Sequence, residues 1–389
     1  MSRFSLLLCC WFSLGFTALA QTVDLHKQVQ QVLDEENLVG ASWALIDHEQ
    51  ITLGSVGFAN KAKNIALLPS NKLHVGSITK TLLASGVLVL VSAGELSLDA
   101  KVSNLLTGIH FDNPWQATHP VLVRHLLDHT SGLQDARFWH LFNTRAKADS
   151  PLQRIFEIEP SLLKVRTQPG SQFGYSNLSF NLLAMVIEAV TGSRYEVALA
   201  TRLLKPLGMS DSSFHFTGQT GDSLDPRLAY GHLDRGDLIA AIPGYLRGAG
   251  QFTTTPGDMV TFMQFLLGEG NNLVTPQLVL QMGQVAQTDS RINGLNAGGG
   301  HGLWRRDRHG VVGLCHGGNT LGFRGMLCVF PEQQKGFFVM VNADSETADY
   351  GRLDQLMIAA LGVKPALKPT KKAGDYQQWL GWYKPVSFG

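Results

Sequence analysis

Ser77 and Lys80 have the side chains and the spacing of a serine nucleophile and the base that activates it. They lie three positions apart in "HVGSITKTLLASG", and residues three apart share one face of a helix, with Cβ atoms about 5–6 Å apart. A serine hydroxyl is a weak nucleophile until a base takes its proton, and burial among apolar side chains lowers the pKa of an ammonium group. Gly76 permits a tight entry into the helix, whose N-terminus offers free N–H groups to an oxyanion. The ordinary alternative is that Ser77 caps the helix and Lys80 extends to solvent.

A second motif, Tyr175-Ser176-Asn177, stands directly before an apolar helix in "FGYSNLSFNLLAMV". A loop placed by that helix could bring a phenol and a carboxamide to the serine. Asn177 could instead do no more than cap the helix.

A third motif, His316-Gly317-Gly318, ends the strand-like run in "VVGLCHGGNT". Glycines let a ligand approach the backbone closely, and the N–H groups beyond them could complete an oxyanion hole. A glycine-rich hairpin turn would look the same in the sequence.

The three motifs, in this order and spacing, resemble those of the serine β-lactamase and penicillin-binding-protein superfamily. The likeness is greatest to class C β-lactamases, D-alanyl-D-alanine carboxypeptidases and related esterases, and it runs from about residue 24 to 362. It includes "GELSLDAKVSNLL", "VLVRHLLDHTSGL", "PGSQFGYSNLSFNLL", "KPLGMSDSSF" and "HGGNTLGFRGMLCVFPE". "LLDHTSGL" and "PLGM" are characteristic of this branch.

The resemblance implies catalytic roles for three residues. Ser77 would attack the substrate and form an acyl-enzyme. Lys80 and Tyr175 would share the work of the base, with the pKa of the phenol lowered by nearby cations. No separate deacylating glutamate of the class A kind is recognisable.

The resemblance also implies a substrate-binding surface. Asn177 would bind the region of the substrate carbonyl, and His316 would stand where many relatives have lysine, followed by Gly317 and Gly318. The backbone N–H groups of Ser77 and Asn319 would form the oxyanion hole.

The residue after His316 bears on the substrate. Relatives that bind a substrate carboxylate commonly have a Lys or His followed by a Thr and a Gly, and here Gly317 replaces the Thr, so its hydroxyl is missing. His316 is largely neutral at pH 7 unless a neighbour raises its pKa, and Arg324 could supply the charge instead. We therefore expect an esterase-like hydrolase of small-molecule esters. A D-alanyl-D-alanine carboxypeptidase acting on peptidoglycan-like peptides, or a class C-like β-lactamase acting on amides, is the alternative.

Two other functions compete with this interpretation. In "HLLDH", His125 and His129 are one turn apart with Asp128 between them, which resembles a metalloprotease helix, but no third ligand is evident. The second competing function is that of a catalytically silent relative, which serves as a binding or assembly module. We expect no metal and no cofactor. No Gly-x-Ser-x-Gly motif of an α/β-hydrolase is present.

Strand signals stand near both ends of the chain and helical signals fill the middle. "GASWALID" and "ITLGSVGFAN" read as a hairpin, and "VVGLCHGG", "GMLCVFPE" and "KGFFVMVNAD" as later strands. We predict an α+β fold, in which an antiparallel sheet is flanked by N- and C-terminal helices and carries a large inserted helical domain, as the resemblance also implies. Residues 21–76 and 251–363 would form the α/β part, 77–250 the helical insertion, and 364–389 a linker and tail.

The first twenty residues have the pattern of a secretory signal peptide, with Ala18-Leu19-Ala20 before Gln21. Cleavage would place the protein in the periplasm or outside the cell, and an uncleaved anchor is the alternative. No later segment is long and apolar enough to span a membrane. The 389 residues carry a net charge of +1, which gives no global field for nucleic acid. The oligomeric state is left open.

Cys315 and Cys328 remain after signal cleavage, on strands that flank "HGGNTLGFRG". Symmetric pairing of that hairpin would bring them within disulfide reach, and a shift of one residue would separate them. We expect two buried free thiols.

Overall fold

The structure is a computed structural model that describes residues 24–269, 272–294 and 298–365. The predicted signal peptide lies outside the described residues, as does the predicted linker and tail apart from its first two residues.

Both ends of the described chain contribute strands to one eight-stranded antiparallel sheet, as predicted. The strand order is β3-β2-β1-β12-β11-β10-β9-β8, so the early hairpin β1–β2 joins the late strands where β1 pairs with β12. The strands of this sheet are β1 Gly40–Asp47, β2 Gln50–Asn60, β3 Ile65–Ala66, β8 Gly298–Gly299, β9 Trp304–Arg308, β10 Val311–Thr320, β11 Phe323–Phe330 and β12 Lys335–Val341.

Helices occupy both ends of the described chain and most of its middle. They are α1 24–35, α2 Thr79–Ser92, α3 Val102–Leu105, α4 Val123–Leu127, α5 Phe138–Leu141, α6 Arg154–Ile158, α7 Asn177–Thr191, α8 Tyr195–Leu199, α9 Lys205–Leu207, α10 Arg247–Gly250, α11 Pro256–Leu266, α12 Pro276–Gln281, α13 Asp289–Ile292 and α14 Gly351–Ala360. The middle region also holds two short strand pairs that the sequence did not predict: β4 Leu73–His74 with β7 Thr253–Thr254, and β5 Gly231–His232 with β6 Leu238–Ile239.

The central strands separate two apolar cores because alternate side chains point to opposite faces of the sheet. In β1, Trp43 packs with the apolar residues of α1 and α14, whereas Ala44 and Ile46 pack with the helical region. In β12, Phe337 and Phe338 divide in the same way. The helices α1 and α14 therefore cover one face of the sheet, and the helical region covers the other.

Helix α2 is the centre of the helical region. Its residues Thr79 to Leu90 are all buried, which explains why its sequence lacks the polar stripe of a surface helix. It packs against α7 and α10. Because α2 is enclosed, its first turn is held rigidly at the boundary between helices and sheet.

No helix among the described residues is long and apolar enough to cross a membrane.

Cys315 and Cys328 are joined by a disulfide, so the prediction of two free thiols is wrong. They are direct partners in the β10–β11 register, with Cα atoms 4.1 Å apart. The two-residue connection after Thr320 fixes this register, and Gly322 within it adopts the left-handed conformation (φ +76°) that glycine tolerates best. The sequence could not decide between registers that differ by one residue.

Replacing both cysteines by alanine should lower the free energy of unfolding by up to about 3 kcal/mol, because the bridge closes a loop with a sequence separation of 13. Denaturant unfolding of the oxidised protein and of Cys315→Ala/Cys328→Ala measures the difference. Alkylation of the denatured, unreduced protein should add no mass. Addition of two alkyl groups at these cysteines would contradict the disulfide.

Candidate active site

Ser77, Lys80 and Tyr175 meet at the junction of the helical region and the sheet. Ser77 lies in a 3-10 turn, Gly76–Ile78, that leads directly into α2. Its Oγ accepts hydrogen bonds from the Lys80 Nζ at 3.0 Å and from the Tyr175 hydroxyl at 2.9 Å. The three residues that the first two motifs single out for chemistry are thus in direct contact.

Lys80 is completely buried, so the alternative that it extends to solvent is wrong. Its Nζ also donates to the Ala249 carbonyl at 2.7 Å and lies 5.0 Å from the centre of the Tyr175 ring. Burial lowers the pKa of Lys80 to about 7, against the opposing influence of the Asp135 carboxylate. A substantial fraction of the amine is therefore neutral at neutral pH and able to accept a proton.

The pKa of the Tyr175 phenol is shifted in the direction opposite to the one expected. Burial raises the pKa of its phenol, and the hydrogen bond to Ser77 opposes this only in part. The expectation that nearby cations lower this pKa is wrong, because loss of hydration and the Asp135 charge both raise it. The Tyr175 hydroxyl therefore stays protonated and acts as a hydrogen-bond donor to Ser77.

His129 positions Tyr175. The backbone carbonyl of His129 accepts from Gly174 N at 2.8 Å, and its Nδ1 accepts from Ser176 N at 3.1 Å. Its ring lies 4.5 Å from the Tyr175 ring, at 30° to it. His129 thus accepts hydrogen bonds from the residues on both sides of Tyr175.

The metal-site alternative receives no support from the placement of the histidines. The Nδ1 of His125 accepts from Leu122 N at the start of its own helix, and His129 faces the tyrosine loop. Within the described ranges, no group of three His, Cys, Asp or Glu side chains is arranged to hold a metal ion.

Asn177 is the first residue of α7, and Ser176, not Asn177, caps that helix by accepting from Ser179 N. The Asn177 backbone N and Nδ2 both donate to the Asp135 carboxylate, at 2.6 and 2.8 Å. Because an ionised carboxylate only accepts hydrogen bonds, this pairing assigns the amide orientation and turns the Asn177 Oδ1 away from Asp135.

Asp135 is a site residue that sequence reasoning missed. Besides Asn177, the Ala136 N–H donates to its carboxylate at 2.7 Å, and its negative charge raises the pKa of Lys80. Burial raises the pKa of Asp135 itself, whereas the N–H donors and Lys80 lower it. The available signal was its position directly after "LLDHTSGLQ", but one aspartate in a loop looks like any solvated residue.

Two glycines allow β10 to approach the turn that carries Ser77. Gly76 has φ +52°, and a Cβ there would lie 2.7 Å from the Asn319 nitrogen. A Cβ on Gly318 would lie 2.1 Å from the Val75 carbonyl oxygen. Both contacts are too short for any side chain, so glycine is required at both positions. The approach brings the backbone of Asn319 beside Ser77.

His316 lines the cleft but keeps only 4% of its surface exposed. Its Nδ1 lies 2.7 Å from the Gly317 carbonyl oxygen, which can only accept, so Nδ1 carries the proton. Burial, aided by the Lys80 charge, lowers the pKa of His316 to about 3. The ring is therefore neutral and contributes no cation to the site.

Gly317, by contrast, is exposed, and a Cβ there would meet nothing closer than the Met326 Cε at 3.5 Å. Arg324, the other candidate for binding a carboxylate, is already engaged: it lies 3.6 Å from an Asp344 carboxylate oxygen and 4.9 Å from the centre of the Tyr350 ring.

Two cavities reach Ser77 and Asn319 from opposite directions. The first, of about 380 Å³, is bounded by α5, α10 and the segment around Ile242. The second, of about 730 Å³, is bounded by β9, β10, β11 and the start of α14, and includes Tyr175, His316 and Gly317. The nucleophile therefore stands where two differently lined spaces join.

Comparison with known proteins agrees with this arrangement. Residues 25–362 match the protein family described as Beta-lactamase. Putative penicillin-binding protein PbpX of Bacillus subtilis (strain 168) is 28% identical over 251 residues, which cover 64% of this chain and 59% of that protein. Esterase EstB of Burkholderia gladioli is 31% identical over 215 residues, which cover 52% of this chain and 53% of that protein. The matches span somewhat more than half the length of these two relatives.

The fold itself recurs in a solved structure, the β-lactamase/D-alanine carboxypeptidase from Yersinia pestis complexed with citrate. That structure superimposes with a TM-score of 0.71 at 23% identity, covering 87% of this chain and 99% of the other. The resemblance deduced from the three motifs is thereby confirmed. Because the family match runs through nearly all of the described chain, this protein belongs to the β-lactamase family of serine hydrolases.

Proposed function

We propose that the protein is an exported serine hydrolase that forms an acyl-enzyme at Ser77 and favours esters as substrates. The observation that carries the proposal is the pair of hydrogen bonds that Ser77 Oγ accepts from Lys80 and Tyr175. A serine hydroxyl is activated as a nucleophile when a lysine with a lowered pKa lies beside it, as Lys80 lies beside Ser77.

Lys80 is the base in this proposal. The neutral amine takes the Ser77 proton as Oγ bonds to the substrate carbonyl carbon, and the N–H groups of Ser77 and Asn319 stabilise the oxyanion. Collapse of the tetrahedral intermediate breaks the bond to the leaving alkoxide. The proton on Lys80 passes to that alkoxide through the Tyr175 hydroxyl, which gives one proton and receives another. Water then attacks the carbonyl carbon of the acyl-enzyme as Lys80 takes its proton. The bond to Ser77 Oγ breaks, the acid is released, and Ser77 Oγ regains its proton.

The preference for esters follows from the hydroxyl that is missing on β10 and from the lack of a free positive charge at His316 and Arg324. Gly317 supplies no hydroxyl, His316 is neutral, and Arg324 is engaged by Asp344. Each charge-assisted hydrogen bond that is lost is worth about 1.5–3 kcal/mol, or about one to two decades in rate if it is expressed in the transition state. Esters need less assistance than amides because an alkoxide is the better leaving group.

The alternatives remain those of the family. Relatives include one named as an esterase, and the fold is shared with a protein named as a β-lactamase/D-alanine carboxypeptidase. A carboxypeptidase or class C-like β-lactamase is therefore the second candidate, and a non-catalytic binding module the third. Export to the periplasm or beyond is proposed from residues 1–20 alone.

Ser77→Ala should remove hydrolysis by several orders of magnitude, as loss of a catalytic serine does, and should leave folding intact because it removes one hydroxyl. The measurement is kcat/KM on p-nitrophenyl butyrate, nitrocefin and a D-Ala-D-Ala peptide, with the ester expected highest. Ser55→Ala, a partly buried serine on β2, is the matched control. Labelling by a fluorophosphonate should be lost only in Ser77→Ala. Survival of activity in that variant would refute the nucleophile, and faster turnover of nitrocefin or the peptide would refute the ester preference.

The pH profile should report Lys80. Its pKa is lowered to about 7, so below that pH the amine is protonated and cannot accept the Ser77 proton. We expect kcat/KM on an ester to fall about tenfold per pH unit as the pH drops below about 7. Lys80→Arg, which keeps the charge but cannot deprotonate, should be nearly as inactive as Lys80→Ala. A flat profile from pH 5 to 8, or an active Lys80→Arg enzyme, would show that Lys80 is not the base.

Asp135 should influence the pH dependence of kcat/KM. Its charge raises the pKa of Lys80, and the neighbouring Tyr175, His129 and His316 are held neutral by burial. Asp135→Asn should therefore move the acidic limb of kcat/KM to lower pH, besides lowering the maximal rate through loss of the Asn177 contacts. Asp135→Glu keeps the charge and serves as the control, whose limb should stay close to the wild-type position. An unmoved or upward-shifted limb in Asp135→Asn would exclude this electrostatic role.

A further inference from the structure

We infer that the cavity of about 380 Å³ is the acyl-binding site and that it takes uncharged, apolar acyl groups longer than acetyl. The inference rests on the proposed function, since it takes Ser77 as the nucleophile. It adds the orientation of the substrate and the chemistry of the group that stays on the enzyme.

The position of Tyr175 decides which cavity receives which half of the ester. The leaving oxygen must meet the group that returns the proton, and the Tyr175 hydroxyl borders the second cavity, together with Trp304 and Gly317. The first cavity reaches Ser77 from the side of Asn177 and Gly250. Because the acyl chain and the leaving oxygen are attached to the carbonyl carbon in different directions, the alcohol departs into the second cavity and the acyl chain remains in the first.

The wall of the first cavity is apolar where an acyl chain would lie. Seven large aliphatic and aromatic side chains from four segments line it: Phe138, Leu141, Phe142, Phe216, Ile242, Leu246 and Leu321. Burial of each methylene group against such a wall contributes a favourable increment to binding. A chain that grows from acetyl should therefore gain affinity until the cavity is filled.

The charged groups in this wall are already paired within the protein, whereas the buried Oε1 of Gln251 lacks a hydrogen-bond partner and, as an acceptor, would not favour an anion. The Arg247 guanidinium pairs with Glu196 at 3.0 Å, and both side chains are almost fully buried. Asp344 pairs with Arg324. The Nε2 of His74 lies 2.9 Å from the Thr217 carbonyl oxygen. Among the described residues of this wall, the charges are thus compensated, and a charged acyl group would enter without a partner.

The entrance to the cavity carries exposed apolar side chains. Phe138 is 67% exposed and its ring centre lies 4.8 Å from that of Phe142, with the rings tilted at 47°, and Ile242 is 37% exposed. Exposed aromatic surface beside a catalytic serine is unfavourable in water, and an acyl chain would cover it on binding. The second cavity is lined by charged side chains, among them Arg306, Asp349 and Asp354, and also by apolar ones such as Trp304 and Met326. Its wall can therefore receive alcohols with polar as well as apolar parts.

Two substrate series test the orientation. In the acyl series the alcohol is fixed as p-nitrophenol and the acyl group lengthens from acetyl to decanoyl. In the alcohol series the acyl group is fixed as acetyl and the alcohol lengthens from ethyl to octyl. Each kcat/KM is divided by the hydroxide rate constant of the same ester. We expect the normalised acyl series to rise by at most about fourfold per methylene, by at least tenfold from acetyl to hexanoyl, and then to level off.

Three variants locate the effect. Ile242→Asp introduces a charge on the apolar wall, and Gly250→Leu fills space, because a Cβ on Gly250 would meet nothing closer than 3.9 Å. Both should flatten the acyl series, lowering the ratio of kcat/KM on hexanoate to kcat/KM on acetate at least tenfold, and neither should change the slope of the alcohol series. Ile158→Asp is the matched control, since Ile158 is 47% exposed and lines neither cavity.

The results separate this inference from the proposed function. Hydrolysis that depends on Ser77 but shows a flat acyl series would overturn the acyl site alone. If Ile242→Asp and Gly250→Leu altered the alcohol series instead, the two halves of the substrate would be placed the other way round. Hydrolysis that survives in Ser77→Ala would overturn the proposed function first.

Discussion

The close approach between β10 and the turn that carries Ser77 is the contact on which the active site depends. The sheet and the helical region meet backbone to backbone there, with no side chain between Gly76 and Asn319 or between Gly318 and Val75. One N–H of the proposed oxyanion hole belongs to the helical side and the other to the sheet. A methyl group at either glycine would have to force the two parts away from each other, and the two donors could no longer converge on one oxygen.

The burial of Lys80 is the second constraint, because an ammonium ion without water is unstable unless something compensates it. The Ala249 carbonyl, Ser77 Oγ and the Asp135 charge compensate it in part, and the remaining deficit appears as its lowered pKa. The carbonyl is itself held in place, since α10 begins with Arg247, whose side chain forms a buried ion pair with Glu196. Breaking such a pair by removing one partner costs about 3–5 kcal/mol. Lys80 is therefore positioned through a chain of contacts that starts well outside the cleft.

The sequence predicted the parts of this molecule that a local pattern specifies. Short apolar runs located β1, β2, β10, β11 and β12, and a helix without a polar face placed Lys80 in a buried setting. Strand β9, "WRRDR", was missed because a charged strand beside a cleft has no apolar alternation to reveal it. Asp135 was missed for a related reason, since its role comes from contacts with the start of α7, 42 residues away in the chain.

Electrostatic behaviour was predicted less well than position. The direction of the Lys80 pKa shift followed from an apolar neighbourhood that is visible in the sequence. For Tyr175 the sign depended on whether cations or desolvation dominate, and this is decided by His129 and other rings that pack against the phenol from distant segments. The cysteine pairing likewise depended on a register that a single glycine turn fixes. In each case the missing information was a tertiary distance.

The two cavities beside Ser77 differ in how charge is placed in their walls, and this bears on which substrates both can accept. In the second cavity Arg306 and Asp354 lie 3.5 Å apart, so these two charges compensate each other. Charged side chains in such a wall can hydrate and hydrogen-bond a polar part of a leaving group. The open space at Gly317 also favours a neutral ester. It leaves room for the alcohol portion of the substrate, at a position where a side chain with a hydroxyl group would make a specific contact. A neutral ester with an apolar acyl half fits the first cavity and leaves these ion pairs intact, whereas a substrate anion that bound to Arg324 or Arg306 would have to displace Asp344 or Asp354.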